Sequence, residues 1–116
     1  MTKVYDLEER TFEFAKEVRL FVKTLSTSTA NIEDGKQLIR SSGSIGANYI
    51  EANESLSKKD FVYRVKISRK EAKESSYWLR LINEGNELTN KQVIEKLMQE
   101  SIELKKIFSA IIEKSK

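Results

Sequence analysis

Residues 40–52, RSSGSIGANYIEA, place three serines and two glycines in a chain otherwise rich in good helix formers. A glycine inside a helix costs about 1 kcal/mol relative to alanine, so Gly43 and Gly46 need a physical reason. A phosphate-binding loop would require a preceding strand and a following Gly-Lys-Ser/Thr, and neither is present. The surrounding apolar spacing instead predicts a helix whose small residues let a second helix approach closely.

Capping signals and apolar spacing predict four helices of about 20 residues each, joined by short loops. Asp6 is the predicted N-cap of the first helix, which ends in the Ser/Thr cluster at residues 26–29. The second helix is predicted to begin between Asn31 and Lys36 and to run to about Glu54. The quoted segment therefore lies inside this helix.

The third helix is predicted to follow Ser57 and to stop at Gly85, a favourable C-terminal residue. The fourth opens on residues 89–92, TNKQ, which match a capping box. Similar lengths and short connections predict an all-α fold, an antiparallel up-down-up-down four-helix bundle forming one domain over residues 1–116. The predicted core positions are Leu7, Phe14, Val18, Phe21, Leu25, Leu38, Ser42, Ile45, Tyr49, Ala52, Phe61, Val65, Ser68, Ala72, Ser75, Leu79, Ile82, Val93, Ile94, Leu97, Met98, Ser101, Leu104, Phe108, Ile111 and Ile112.

The composition excludes several kinds of catalytic site. The sequence has no cysteine and no histidine, so it lacks the parts for a disulfide framework, a thiolate nucleophile, a Ser-His-Asp triad or a zinc site. A carboxylate-only Mg²⁺ site remains conceivable, and Glu51 with Glu54 is the only suitable pair. We expect no enzyme activity and no cofactor.

The hydropathy pattern contains no stretch long and apolar enough to span a bilayer. Charged residues interrupt the N-terminal segment, which argues against a signal peptide; they are Lys3, Asp6, Glu8, Glu9 and Arg10. The expected location is the cytoplasm.

Positive charge concentrates in residues 58–80, which hold eight Lys and Arg against three acids, a net +5, whereas the whole sequence has +3. A helical wheel places most of these cations on one face with two tyrosines, opposite the apolar positions. A solvated face, which usually mixes signs, and a docking face for an acidic protein partner are the alternatives to binding of single-stranded RNA or DNA. The predicted nucleic-acid-binding residues, here called the basic face, are Lys59, Tyr63, Lys66, Arg69, Lys70, Lys73, Tyr77 and Arg80.

Apolar residues extend beyond one bundle seam, which predicts a homo-oligomer. In the third helix Ile67 and Trp78 lie about 90° from the core positions, and the apolar face of the fourth helix is unusually wide. The pattern leaves open whether the close neighbour of the glycines belongs to the same chain or to another subunit. The predicted interface residues are Ile39, Gly43, Gly46, Ile50, Ile67, Trp78, Met98 and Ile102. For Asn48 and Glu51, solvation and a buried hydrogen-bonded pair are equally compatible with the pattern.

Residues 37–52, QLIRSSGSIGANYIEA, resemble the signature of four-helix-bundle proteins encoded in intervening sequences of bacterial large-subunit (23S) ribosomal RNA genes. Matching elements are FEFAKEV at residues 12–18, KDF at 59–61 and ESSYWL at 74–79. The superfamily includes the accessory variability determinant of diversity-generating retroelements. The resemblance spans about residues 12–82, with a less specific last helix.

This resemblance implies a bundle that assembles into a ring of five subunits, with no catalytic residues. For the retroelement relatives it implies an accessory role in binding nucleic acid and a reverse transcriptase. Those accessory proteins are typically more basic than +3, so this chain looks closer to the intervening-sequence branch or a free-standing relative. The sequence therefore predicts an oligomeric nucleic-acid-binding or ribonucleoprotein accessory factor. The alternative is an oligomeric scaffold that docks an acidic protein partner without nucleic acid.

Overall fold

The computed structural model describes residues 7–116, and this part of the chain is all-α, with no strand. Asp6, the predicted first N-cap, lies outside the described residues. The predicted all-α class with four helices is confirmed for these residues, and the arrangement is consistent with a four-helix bundle. The helices are α1 (Leu7–Val22), α2 (Thr29–Asn53), α3 (Lys58–Gly85) and α4 (Lys91–Lys114).

Each helix packs against two others: α1 against α2 and α4, and α3 against α2 and α4, with the most extensive contact between α2 and α3. The apolar positions meet in one central core, because spacings of three and four residues put them on one side of each helix. On the outside, Arg10 of α1 donates two hydrogen bonds, of 2.6 and 2.8 Å, to the Glu100 carboxylate of α4.

Most predicted core positions are buried, and the exceptions lie at helix ends or on the flanks of α4. Leu25 and Phe61 are only half-buried, near helix ends. Val93 is 40% exposed, because its position on α4 faces the surface beside α1. Met98 and Ile111 are half-buried and pack against the edge of the core.

The predicted starts of two helices were wrong by a few residues. Helix α2 begins at Thr29 because Ser28 is its N-cap, with the side-chain oxygen accepting from the Asn31 amide at 3.1 Å. Helix α1 ends at Val22, before the Ser/Thr cluster at residues 26–29 that was predicted to end it, and the cluster instead starts α2. Helix α4 is capped by Asn90, whose side chain accepts from the Gln92 amide at 3.0 Å, in place of the predicted capping box from Thr89.

Small hydroxyl side chains occupy the α2–α3 contact. The Ser41 and Ser75 hydroxyl groups lie 2.8 Å apart, and both residues are almost fully buried. Ser68 donates to the Ile45 carbonyl across the same contact at 2.8 Å. Because each hydroxyl has a partner, serine fills these positions without leaving a buried polar group unpaired. Serine in the 40–52 segment thus allows close helix packing.

The glycines of α2 face α1 of the same chain. A Cβ added to Gly46 would lie 2.8 Å from the Thr11 Oγ1, and one added to Gly43 would lie 3.1 Å from an Arg19 side-chain nitrogen. This contact explains the close-packing pattern within a single chain. An additional role of Gly43 and Gly46 at a subunit interface stays a prediction.

Candidate nucleic-acid interface

The basic face lies on the outward side of α3. Ser57 is the N-cap of α3, and its hydroxyl accepts a hydrogen bond from the Asp60 amide at 3.1 Å. The side of α3 opposite the basic face packs in the core through Val65, Ala72 and Leu79. Most members of the face are consequently exposed: Lys59, Tyr63, Lys66, Lys70, Lys73, Tyr77 and Arg80. Among them, Tyr63 and Tyr77 are 62% and 56% exposed, which leaves both side chains accessible to a flat ligand.

Two arginines of the predicted set differ from the lysines. Arg69 is half-buried and points towards α4, where its guanidinium lies 3.5 Å from the Ser109 hydroxyl. Arg80 is exposed, but its Nε lies 3.3 Å from the Glu84 carboxylate one turn later. Among residues 7–116, the positive charge of the face that forms no ion pair therefore comes mainly from its lysines.

The structure adds residues of α2 that the sequence analysis missed. An open cleft between α2 and α3 lies at the side of the basic face, and Arg40 and Gln37 contribute one wall. Arg40 donates to the Gln37 side-chain oxygen at 3.1 Å. The wheel of α3 alone gives no signal for Arg40. Only the packing of the two helices brings it beside Lys70 and Lys73.

Asn48 forms a polar link between α2 and α3. Its side-chain oxygen accepts from Arg64 of α3 at 3.1 Å, and its nitrogen donates to the Ser44 carbonyl at 2.9 Å. Glu51 is exposed. For Asn48 the structure therefore supports the hydrogen-bonded interpretation, with Arg64 of α3 as the partner. For Glu51 it supports the solvated interpretation.

Glu71 is an unusual carboxyl group on the α2 side of α3. It is only 8% exposed, and its Oε1 has no hydrogen-bond partner among the described residues. Burial raises the pKa of the Glu71 carboxyl, and the charge of Glu74 raises it further, against the opposing charges of Lys70 and Arg40. The folded state therefore binds this proton more tightly than the unfolded chain does.

This carboxyl predicts a specific pH dependence of stability. With a raised pKa in the folded state, Glu71 lowers the unfolding free energy as pH rises from the ordinary carboxyl range through the raised value. Glu71→Gln should therefore be more stable than the wild type at pH 7, and the difference should shrink as pH falls from the raised pKa towards the ordinary carboxyl range. Urea unfolding at a series of pH values tests this, with the exposed Glu95→Gln as matched control. A constant difference at every pH would contradict it.

The predicted interface residues occupy several parts of the surface. Ile50 and Ile102 are 46% and 41% exposed, and the remaining side chains are half-buried. With Gly43 and Gly46, Ile50 lines a mainly apolar groove between α1 and α2, together with Phe12 and Ala47. The interface itself stays a prediction.

Within residues 7–116 no group of three or more Asp or Glu is placed to hold a metal ion. Glu51 and Glu54 are exposed and line a shallow depression near Asp60 and Arg64. None of the helices described has the length and apolar character needed to cross a membrane.

Comparisons with known proteins agree with this architecture. The family model of the 23S rRNA-intervening sequence protein matches residues 3–110. A crystal structure of a protein of unknown function, from the S23 ribosomal protein family of Bacteroides thetaiotaomicron, is similar with a TM-score of 0.81 and 32% sequence identity, over 90% of this chain and 96% of that chain. No curated protein matches the sequence. With the family model covering nearly the whole chain, this protein belongs to the 23S rRNA-intervening sequence protein family.

Proposed function

We propose that this protein is a non-enzymatic, oligomeric accessory factor that binds single-stranded nucleic acid through the basic face of α3. The observation that carries the proposal is the grouping of exposed lysines with two exposed tyrosines on the outward side of one helix. A face used only for solubility normally mixes charges of both signs. Membership of a family named for an intervening sequence of 23S rRNA adds support.

The chemistry of the face suits an unstructured strand. Lysine ammonium groups neutralise phosphates and release counterions, which gives affinity with little sequence preference and a strong dependence on salt. Exposed tyrosine rings stack on unpaired bases of any identity. The two kinds of side chain therefore contribute separable effects, since one depends on salt and the other on the presence of bases.

The first test removes two phosphate contacts. For single strands the slope of log affinity against log salt is roughly −0.7 per phosphate neutralised. Lys66→Gln/Lys70→Gln should therefore flatten the slope by about 1.4 per engaged subunit. The matched control is Lys105→Gln/Lys106→Gln, which removes the same charge from exposed positions on α4.

Gel shifts with a single-stranded oligonucleotide across a salt series measure both slopes. If the two double variants bind like the wild type at every salt concentration, the proposal fails and the acidic-protein scaffold becomes the better interpretation. Tyr63→Ala provides an independent arm: affinity should fall by up to about 1–3 kcal/mol if the ring stacks on a base, with little change of slope.

We further infer that the chain has an up-down-up-down topology and assembles into a ring, with five subunits favoured by the family resemblance. The hydrogen-bonded partners of α2 in α3 support antiparallel packing, because residues 41, 45 and 48 pair with 75, 68 and 64. Exposed apolar side chains support assembly, since a single chain leaves them in water; they include Phe12, Ile50, Leu81, Val93 and Ile102.

Light scattering of the protein at micromolar concentration tests the assembly. A homo-oligomer has a mass that is a multiple of 13.4 kDa, and the ring of five has five times that mass. A monomer at this concentration would contradict the assembly without contradicting the nucleic-acid proposal, which needs only one basic face.

A further inference from the structure

The cleft between α2 and α3 combines groups that bind phosphate with a ring that binds a base. It is lined by Gln37, Arg40, Lys70, Lys73, Glu74, Tyr77 and Trp78, and its volume is about 530 Å³. That volume falls in the range of sites for small ligands. The cleft is open to solvent along the basic face, so a strand lying on α3 would pass its mouth.

Three cationic side chains from two helices line this cleft against a single acid, Glu74. Arg40 comes from α2, whereas Lys70 and Lys73 come from α3. Arg40 is exposed, with its hydrogen bond to Gln37 on the same helix. A charge arrangement that spans two helices holds an anion at a defined place, whereas a single row of lysines only follows the strand.

The aromatic pair of the cleft has a fixed geometry. The rings of Tyr77 and Trp78 meet edge to face, with centroids 5.1 Å apart and planes at 77°. Trp78 is half-buried and packs against the core, so it supports one edge of the Tyr77 ring, while Tyr77 as a residue stays 56% exposed. A large exposed ring held in place by a neighbour loses little conformational freedom when a base stacks on it.

We propose that this cleft binds one unpaired nucleotide of a single strand, with the base on Tyr77 and the adjacent phosphates on Arg40, Lys70 and Lys73. The inference rests on the proposed function and locates a defined site within it. An acidic peptide would engage the three cations but would gain nothing from the exposed ring. The ring therefore favours a ligand that carries both phosphate and base.

Trp78 is the only tryptophan of the chain, so intrinsic fluorescence reports directly on the cleft. The probes are decamers of uridylate and of thymidylate, which distinguish RNA from DNA, and a decamer of abasic DNA with the same phosphates. Both base-containing decamers should change the Trp78 emission on binding. The abasic decamer should bind at least roughly 5- to 150-fold more weakly, because it loses the stacking on Tyr77 together with any stacking on Tyr63.

Three variants separate the roles of the side chains. Tyr77→Ala should reduce the preference over the abasic decamer by roughly 5- to 150-fold, leaving only the part that Tyr63 contributes, whereas Tyr77→Phe should keep the full preference. Arg40→Gln should flatten the slope of log affinity against log salt by about 0.7. The control Lys106→Gln, at an exposed position on α4, should not alter the Trp78 response. Circular dichroism confirms that each variant keeps its helices before binding is compared.

Several results would contradict the proposed nucleotide site in the cleft. Binding in gel shifts without any change of Trp78 emission, as for a tryptophan buried between subunits, would place the nucleotide elsewhere and leave the proposed function intact. If the abasic decamer bound as tightly as the base-containing decamers, the site would contact phosphates only and the proposed stacking on Tyr77 would be wrong. If no decamer binds at low salt, both the nucleotide site in the cleft and the proposed function are contradicted. If poly-glutamate changes the Trp78 emission and the decamers do not, the ligand of the cleft is an acidic protein partner.

Discussion

Replacing Phe108 by alanine is expected to lower the unfolding free energy by about 3–5 kcal/mol, as for other buried phenylalanines. Phe108 is fully buried, and its ring lies 5.8 Å from that of Tyr49 between centroids. This contact joins α4 to α2, two helices whose backbones do not otherwise approach closely. Alanine would leave a cavity at the point where opposite helices meet.

Urea unfolding followed by circular dichroism measures this effect. The loss is a large part of the 5–15 kcal/mol that stabilises a typical domain, so the midpoint should fall steeply. Phe108→Leu should cost far less, because it conserves most of the volume. Phe12→Ala is the matched control, since Phe12 is 59% exposed on α1. If the two alanine variants were equally stable at low protein concentration, the assignment of Phe108 to the core would be wrong.

The second large effect is expected at Gly46. A leucine side chain there must displace Thr11, because even its Cβ would lie 2.8 Å from the Thr11 Oγ1 and 3.2 Å from the Thr11 Cβ. Thr11 is buried and its hydroxyl donates to the Glu8 carbonyl at 2.9 Å, so moving it breaks a hydrogen bond. Overpacking of this kind typically costs about 1–3 kcal/mol, occasionally more.

The same contact decides the effect of Gly46→Ala. Helix propensity favours alanine by about 1 kcal/mol, but at 2.8 Å the clash outweighs it, and we expect a net loss of stability. Gly85→Ala is the control, because an added Cβ there meets nothing within 4 Å. Thr11→Ala should partly restore the Gly46→Ala variant by removing the nearest atom. If the Gly46→Leu protein were as stable as the wild type, α1 would not pack closely against α2 at this position.

The number of helices and most of the core followed from the sequence, because helix periodicity places apolar residues on one side independently of the partner helix. Both ends of α3 could be predicted equally well, since Ser57 marks its start and Gly85 its last residue. The start of α2 was not, because residues 26–29 offer several capping side chains and only the packed structure selects Ser28. Thr11 and Glu71, polar residues that are buried, also carried no local signal.

The basic face could be predicted because every member lies on one helix, and a wheel suffices to align them. The cleft beside it could not be predicted, because Arg40 and Lys70 are thirty residues apart and become neighbours only when α2 packs on α3. The same limit applied to Asn48, whose hydrogen-bond partner Arg64 lies on the other helix.

Several features of residues 7–116 followed from the sequence: the all-α class, the four helices, the buried side of each helix and the positive charge on α3. These properties depend on intervals of three and four residues, so they are encoded locally. Tertiary structure alone decided that Gly46 meets Thr11, that Ser41 meets Ser75, and that Arg40 stands beside the basic face. Such contacts depend on the rotation and separation of packed helices, which arise from the fit of all the side chains between them.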